Sequence, residues 1–229
     1  MANQKFKRTK AWVLRRTNYG EADRILNLIT PEGQISAVAR GVRKSKSKLA
    51  GAIELFCLSD VVLVGGKNSG MATLSSASLI EQFSDIVKDY ERLMFAYEVL
   101  RQVERASRDV SNEIWFEIVG QVLPALNQMN VSLNLIKVWF YLRLSDHLGE
   151  EFNLLSDEFG NEIQAETNYR YDWESKNLSP DVRGEITTVH IKLMRLVMSS
   201  PLRLCAKVSQ VDAYAQEILL VCQAHAGLN

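Results

Sequence analysis

Cysteine is scarce in this sequence of 229 residues, which contains only Cys57, Cys205 and Cys222. The three are far apart, their number is odd, and no two have the C-x-x-C spacing. This pattern argues against a disulfide framework and against a zinc knuckle. Each cysteine lies in an apolar stretch, so we expect buried thiols that pack as small hydrophobic side chains.

Long apolar runs are also missing, and none approaches the roughly 20 residues that a membrane helix needs. The first ten residues are polar and basic, and no apolar segment typical of a secretory signal follows them. We therefore expect a cytoplasmic protein with no membrane partner.

Motifs for catalysis are absent as well. Gly66-Lys67 resembles the end of a phosphate-binding Walker loop, but Val61 stands where its first glycine belongs and Asn68 replaces the Ser or Thr that would bind Mg²⁺. The three histidines lie on separate predicted helices, without a second ligand at metal spacing. Nothing marks a catalytic nucleophile. The sequence therefore predicts a protein that is not an enzyme, with no catalytic residue, no metal and no cofactor.

Charge is unevenly distributed, although Lys+Arg and Asp+Glu both number 27 in the whole chain. Residues 1–50 hold 12 basic and 3 acidic residues, whereas residues 51–229 hold 15 basic and 24 acidic residues. This split predicts a polyanion-binding end joined to a more acidic body.

Residues 8–80 carry the pattern of a β domain. We predict strands at 12–16 and 24–29, a turn at 30–33, and a strand at 34–39, so that residues 24–40 form a hairpin. One or two further strands are expected between residues 53 and 64, and another at 71–75. Short strands separated by turns over about 70 residues are typical of a small closed barrel such as an OB-fold.

From residue 83 onwards the hydrophobic period changes to that of helices. The first helix is predicted to place on one apolar face Ile86, Tyr90, Leu93, Met94, Tyr97, Leu100 and Val103, with Arg92 among the polar residues opposite. Later helices are expected near 111–124, 131–148, 185–199 and 208–225. The third of these five helices is apolar on nearly all sides, which is typical of the centre of a bundle.

The predicted fold class is therefore α+β, with an N-terminal OB-fold barrel followed by an α-helical C-terminal domain. We place the barrel in residues 1–80 and the helical domain in residues 81–229. Within the latter, residues 150–182 lose helical periodicity, and acidic residues outnumber basic ones there. We expect this insertion to be a loop with a short hairpin.

The segment 40–48 joins two predicted strands and is the strongest functional signal. It contains five cations in nine residues, separated by small residues that let a phosphate chain approach. Three arginines on neighbouring strands extend the predicted surface. The candidate DNA-binding residues are Arg15, Arg16, Arg24, Arg40, Arg43, Lys44, Lys46 and Lys48. Trp12, Tyr19 and Phe56 are aromatic residues available in the predicted barrel, and most of them are expected to be core rather than stacking platforms.

Several blocks in this region resemble bacterial RecO proteins. They are residues 11–16 and 19–25, the stretch Thr30–Arg43, and then 47–51 with 55–56. The resemblance is close over residues 8–80 and looser through Leu148-Gly149. It implies an OB-fold and a helical domain, binding of single- and double-stranded DNA, and annealing of complementary strands. It also implies partnership with RecR, contact with the C-terminal tail of single-strand-binding protein, and indirect action on RecA.

One departure from that family concerns zinc. Many members carry a four-cysteine zinc module after the central helices, whereas residues 150–182 contain no cysteine here. We therefore expect no zinc, and other packing must stabilise this region. On the third of the predicted helices, Lys137 and Arg143 are weak candidates for contacting the acidic tail of the single-strand-binding protein.

The sequence leaves three alternatives for function. The leading hypothesis is a cytoplasmic, nucleoid-associated mediator of DNA recombination and repair, which loads RecA and anneals strands without hydrolysing nucleotides. The second is a general OB-fold module that binds RNA. The third is an adaptor for protein interactions, in which the basic loop only maintains solubility.

Overall fold

The computed structural model describes residues 6–44, 47, 49–65, 70–109 and 113–228. It forms two compact units, which divide between Asn127 and Gln128. The first unit contains the barrel together with two helices, because these helices pack on the barrel strands. The sequence boundary at residue 80 stays a prediction, since the spatial division falls after the second helix.

Five strands form a closed barrel in the order β1-β2-β3-β5-β4. They are β1 Phe6–Tyr19, β2 Asp23–Thr30, β3 Gly33–Ala39, β4 Cys57–Val64 and β5 Ala72–Gln82. All neighbouring strands are antiparallel except β3 and β5, which pair in parallel. A five-stranded Greek-key barrel of this kind is the OB-fold expected from the sequence.

The long strand β1 pairs with two neighbours. Its first half, from Phe6 to Trp12, pairs with β4, and the part from Trp12 to Tyr19 pairs with β2. A register shift between Val13 and Arg15 bends the strand between these two partners. The sequence predicted β1 only at residues 12–16 and β5 only at 71–75, because the outer parts of both strands are polar and lack clear alternation.

The barrel is filled by small and branched side chains that alternate along the strands. The buried set is Ala11, Val13, Leu26, Leu28, Ala37, Ala39, Val42, Ile53, Val61, Leu63, Ala72 and Leu74. Side chains at the alternate positions of β2 and β3 therefore point outward, where a ligand can reach them.

Two 3₁₀ turns and two helices complete the first unit. The turns are Ala50–Ile53 and Ser84–Lys88, and the helices are α1 Tyr90–Asp109 and α2 Ile114–Asn127. The predicted apolar face of α1 was wrong in part: Tyr90, Met94 and Tyr97 are 75%, 49% and 45% exposed. Arg92 is instead buried and donates to the carbonyl of Leu126. A second apolar stripe, containing Phe95 and Val99, is the buried face, and the specific bond of Arg92 offsets the cost of burying its charge.

The second unit consists of four helices and a small hairpin. The helices are α3 Leu133–His147, α4 Thr188–Ser199, α5 Leu202–Cys205 and α6 Val211–His225, and the strands are β6 Tyr169–Asp172 and β7 Asn177–Pro180. Helix α3 packs against α4, α5 and α6, and nine of its 15 residues are buried, as its apolar sequence predicted. No described helix is both long enough and apolar enough to cross a membrane.

The insertion between α3 and α4 holds the predicted hairpin and fits no zinc site. Residues 150–182 have no cysteine, and the described residues contain no group of three or more His, Cys, Asp or Glu side chains placed to hold a metal. All three cysteines are buried elsewhere in the structure. Their burial raises the pKa of each thiol, so they serve as apolar packing.

Two groups of contacts stabilise the insertion. The first is a turn around the carboxylate of Asp157, which accepts hydrogen bonds from the backbone N–H of Phe159 and Asn161 at 2.9 and 2.8 Å. Burial acts to raise the pKa of Asp157, but these bonds together lower it. The ionised carboxylate therefore closes this turn.

The second group is a buried cluster around His225, the last residue of α6. The hydroxyl of Tyr171 lies 2.9 Å from Nδ1 of His225, and Nε2 of His225 lies 3.0 Å from the carbonyl oxygen of Glu150. The ring of Phe152 lies 4.4 Å from the imidazole. Since Nε2–H donates to a carbonyl and the Tyr171 hydroxyl donates to Nδ1, the neutral imidazole satisfies every partner.

This cluster predicts an acid-sensitive step in stability. Burial lowers the pKa of His225 below its ordinary value, so the folded protein binds its proton less tightly than the unfolded chain does. The stabilisation is complete above the unfolded pKa of about 6.5 and is lost as the pH falls towards the folded pKa. Thermal unfolding of the wild type should therefore show a falling midpoint between about pH 7.5 and pH 5.5.

The variant His225→Gln provides the control, because its amide can make the same two hydrogen bonds but does not titrate. We expect this variant to be less stable at neutral pH, owing to lost ring packing, and to lack that decrease in midpoint. Carboxylates with lowered pKa, such as Asp157, act only at lower pH. Identical slopes for the wild type and His225→Gln would contradict the assignment.

Candidate nucleic-acid interface

The first half of the basic segment is fixed to one end of the barrel. Val42 is buried in the barrel core, and Gly41 adopts a left-handed conformation, with φ of 63°, that turns the chain. The N–H of Gly41 donates to Asp23 at 2.7 Å, and the N–H of Arg43 donates to the carbonyl of Ala22 at 2.9 Å. These bonds tie the loop after β3 to the turn between β1 and β2.

Three of the predicted cations are exposed on this loop: Arg40, Arg43 and Lys44. The guanidinium of Arg43 donates to the carbonyl of Gly20 at 3.2 Å, which holds it beside the β1–β2 turn. Among the described residues, none of these three cations forms an ion pair with a carboxylate. Lys46 and Lys48 were also predicted to bind DNA, but they lie outside the described residues.

Two other predicted cations converge on one carboxylate. Arg24 of β2 lies 3.1 Å from Glu54, and Arg16 of β1 contacts the other oxygen of the same group. Partial burial lowers the pKa of Arg24, and the nearby charges of Arg16 and Arg43 lower it further. These guanidinium groups are therefore close enough to repel one another, and Glu54 offsets that repulsion only in part.

Arg15 occupies a separate place on the outer face of β1. Its side chain is 61% exposed, and its guanidinium lies 3.9 Å from the carboxylate of Glu104 on α1. The buried Glu104 also accepts hydrogen bonds from Asn27 at 2.6 Å and from Arg108 at 2.7 Å. Arg15 thus lies at the edge of α1, away from the Glu54 cluster that holds Arg16.

We define the basic rim as Arg16, Arg24, Arg40, Arg43 and Lys44, all on the β1–β2–β3 end of the barrel. The acidic residues beside it are Glu54 and, on or next to the β1–β2 turn, Glu21 and Asp23. Positive charge exceeds negative charge among these described residues. A rim with unpaired guanidinium and ammonium groups can bind the phosphates of a polyanion.

A three-stranded outer face leads from the basic rim towards α1. Across β1, β2 and β3 the register aligns Thr17, Ile25 and Val38 in one row, and the next row is Arg15, Asn27 and Ser36. A third row contains Trp12, Ile29 and Gln34. Trp12 and Ile29 are buried, whereas Thr17 is exposed and Ile25 and Val38 are half-buried. The open part of the face therefore lies next to the rim.

The three aromatic residues that the sequence singled out in the barrel divide between core and surface, and most of them are core, as expected. Trp12 and Phe56 are 3% and 7% exposed, and Trp12 packs against Phe83 and Phe116. Tyr19 is 58% exposed at the end of β1, beside the turn that contacts Arg43. Of the three, Tyr19 is the one with a ring available for stacking.

Two residues of α3, Lys137 and Arg143, were weak candidates for partner binding, and the structure does not bring them together. They lie six residues apart, which places them about 120° apart around the helix. Both are half-buried. The guanidinium of Arg143 lies over the ring of Trp139, 5.5 Å from its centre, and contacts the carbonyl of Ser200. Arg143 therefore takes part in packing the helical unit, and its role in partner binding, like that of Lys137, stays a prediction.

Sequence reasoning missed the two carboxylates that organise these cations. Glu54 is 38 residues from Arg16 in sequence, and Glu104 lies on a helix that the pattern treated separately. The available signal for Glu54 was its position six residues after the basic segment, near the start of a predicted strand. No local signal marked Glu104, because an acidic residue on an amphipathic helix is ordinarily exposed.

Comparison with known proteins gives matches along the chain. The family model described as "Recombination protein O N terminal" matches residues 1–83, and "Recombination protein O C terminal" matches residues 87–225. Together these two models leave only a few residues of the chain unmatched.

Individual relatives agree with these models. A protein named "DNA repair protein RecO" from Roseiflexus sp. (strain RS-1) is 33% identical over 205 residues, covering 86% of this chain and 71% of the relative. A protein of the same name from Dehalococcoides mccartyi is 32% identical over 191 residues, covering 81% and 74%. A third, from Heliobacterium modesticaldum, is 38% identical over 144 residues, covering 62% and 51%. On the barrel topology, the two family models and these relatives, the chain belongs to the RecO family.

Proposed function

We propose that this protein is a DNA-binding mediator of recombination in DNA repair, and that it contacts DNA through the basic rim and the adjoining outer face. The observation that carries this proposal is the exposure of Arg40, Arg43 and Lys44 without carboxylate partners among the described residues. OB-folds bind single strands along the face of β2 and β3 and through the β1–β2 loop. Both elements lie beside the rim here.

The mediator would act without enzymatic turnover. A cationic surface that neutralises two strands lowers their mutual repulsion, which favours annealing of complementary strands without nucleotide hydrolysis. We further propose that it partners RecR and the C-terminal tail of single-strand-binding protein, and that it helps RecA to load on covered single strands. Membership of the RecO family supports these finer steps.

Substitution of the three unpaired cations of the rim tests whether the rim binds DNA. The triple variant Arg40→Gln, Arg43→Gln, Lys44→Gln should bind a single strand roughly ten to a hundred times more weakly at about 100 mM salt. Its plot of log affinity against log salt should be less steep by about 2, because each lost phosphate contact removes about 0.7. Fluorescence anisotropy with a labelled oligonucleotide over a salt series measures both quantities.

A matched triple variant controls for the change in net charge. Arg170→Gln, Arg183→Gln, Lys192→Gln removes three exposed cations from the helical unit. It should keep wild-type affinity and slope. Equal losses in both triple variants would mean that bulk charge, not the rim, attracts DNA. Unchanged affinity in the rim variant would favour the adaptor function instead.

Substitution of Glu54 should have the opposite effect and strengthen DNA binding. Glu54→Gln removes the carboxylate that faces Arg16 and Arg24, so two guanidinium groups become available to phosphate. DNA affinity should rise about fivefold at about 100 mM salt, with a steeper salt dependence. The same variant should lose about 1 kcal/mol of stability, partly recovered as salt screens the repulsion between the arginines.

Asp60→Asn is the comparison for this carboxylate. Asp60 pairs with Arg8, whose side chain is 77% exposed, on a part of β1 that pairs with β4. Its loss should change neither DNA affinity nor its salt dependence appreciably. If Glu54→Gln weakens DNA binding although the variant is folded, then Glu54 positions the rim rather than masking it.

Annealing of complementary strands coated with single-strand-binding protein tests the mediator function directly. The wild type should accelerate annealing without added nucleotide, and the rim variant should not. A competition series with RNA of the same sequence separates DNA binding from general nucleic-acid binding. A marked preference for RNA, or no acceleration of annealing, would count against the proposed function.

A further inference from the structure

A polar recess lies where α1 crosses the outer face of β2 and β3. It has a volume of about 430 Å³ and is lined by Asn27, Gln34, Ser36, Ser107 and Arg108. Every one of these side chains is polar, which is unusual for a contact between a helix and a sheet face. A recess of this size is within the range that small-molecule groups occupy in proteins.

The lining side chains hold one another in place. The hydroxyl of Ser107 donates to the carbonyl of Val103 at 2.6 Å and lies 2.9 Å from the side-chain amide of Gln34, and Ser36 donates to the Oδ1 of Asn27 at 3.0 Å. Asn27 and Arg108 both donate to Glu104, which is 7% exposed. Because these bonds fix the rotamers, the recess is formed before any ligand arrives.

Hydrogen-bond donors remain after these contacts are counted. Within the described part of the chain, at least one N–H of the Gln34 amide and the remaining N–H groups of Arg108 make no hydrogen bond. Oδ1 of Asn27 and Oε1 of Glu104 already accept bonds. The recess therefore offers donors to a group that carries carbonyl or ring-nitrogen acceptors, which is the chemistry of a nucleobase edge.

The recess also has the right position for such a ligand. Asn27 and Ser36 belong to the row of the outer face next to Ile25 and Val38, which border the basic rim. A DNA single strand with its phosphates on the rim would pass over this half-buried apolar row. It would then reach the recess, which lies one or two residues further along the β-strands. Arg15, exposed at the end of the same row, supplies a cation for the neighbouring phosphate.

From this geometry we propose that the recess between α1 and the β2–β3 face receives one unpaired base of a bound single strand, held through its carbonyl oxygens by Gln34 and Arg108. The inference rests on the proposed DNA binding and adds to it a contact with a base. A duplex could not use the recess without extruding the base, so the recess favours single strands.

The test compares two strands with the same backbone. One is oligothymidylate of about 12 nucleotides, a length that one OB-fold can bind, and the other is an abasic strand of equal length. The wild type should bind oligothymidylate about tenfold more tightly than the abasic strand, since one bidentate contact to a base contributes about that factor.

Two variants address the recess by different means. Arg108→Gln removes its cation, and Ser36→Met fills it from an outward position of β3 that is not in the barrel core. Both should reduce the ratio of affinities for the two strands to near one. Arg183→Gln, the same chemical change in the helical unit, should retain the wild-type ratio. Far-ultraviolet circular dichroism and thermal unfolding verify that each variant is folded.

The outcomes separate this inference from the function on which it rests. If the wild type binds neither strand in a salt-dependent way, the proposed DNA binding fails. If it binds both strands but the ratio is near one, or the ratio is unchanged in both recess variants, the base pocket is overturned and the DNA-binding rim stands. A reduced ratio in both variants, with the control unaffected, establishes the pocket.

Discussion

The double pairing of β1 is the constraint on which the first unit depends. One strand of 14 residues bonds to β4 along its first half and to β2 along its second, so it closes the barrel at the point where an open sheet would have an unpaired edge. Closure needs only a short parallel contact between β3 and β5 in addition. Because β2 pairs with both β1 and β3, the β1–β2 turn and the loop after β3 meet at one end of this barrel, and their hydrogen bonds give the basic rim a fixed shape.

The rim combines cations that are neutralised with cations that are not. Opposite charges near a protein surface attract, like charges repel, and solvent screening leaves a net effect of about 1 kcal/mol for a partly exposed pair. Glu54 uses this attraction to hold Arg16 and Arg24 near the barrel end, where burial alone disfavours a charge. The exposed Arg40, Arg43 and Lys44 face solvent and gain most from an arriving phosphate, since no described carboxylate has to be displaced.

Local signals in the sequence predicted the parts of the fold that local chemistry determines. The hairpin of β2 and β3 followed from the Pro-Gly turn at residues 30–33, and α3 followed from its apolar sequence. The basic loop was evident from composition alone. The ends of β1 and β5 could not be predicted, because they are polar strands whose partners are distant in sequence. The hydrophobic pattern also could not show which of the two apolar stripes on α1 is buried.

The partners of the candidate cations could not be predicted either, because they are distant in sequence. The candidate DNA-binding cations that the structure describes all lie on or beside β1, β2 and the loop after β3, yet their partners differ. Arg16 and Arg24 contact Glu54, Arg15 faces Glu104, and Arg43 donates to a backbone carbonyl. Composition gives the number of cations in a region but not the number left unpaired, and the unpaired number determines how many phosphates the rim can bind.

Helix α1 determines which part of the outer face of the OB-fold stays open. Its Glu104 and Ser107 bond to Asn27 and Gln34, so the rows of the face nearest to α1 are covered or reduced to a recess. Residues along a strand are spaced by about 3.3 Å, so the open strip between this edge and the rim is only about 7 Å long. A strip of that length suits one extended strand that crosses the sheet. In the proposed function, therefore, a duplex would bind through the rim alone, and a single strand would bind through both the rim and the face. The same barrel could then hold a duplex or a single strand that awaits its complement.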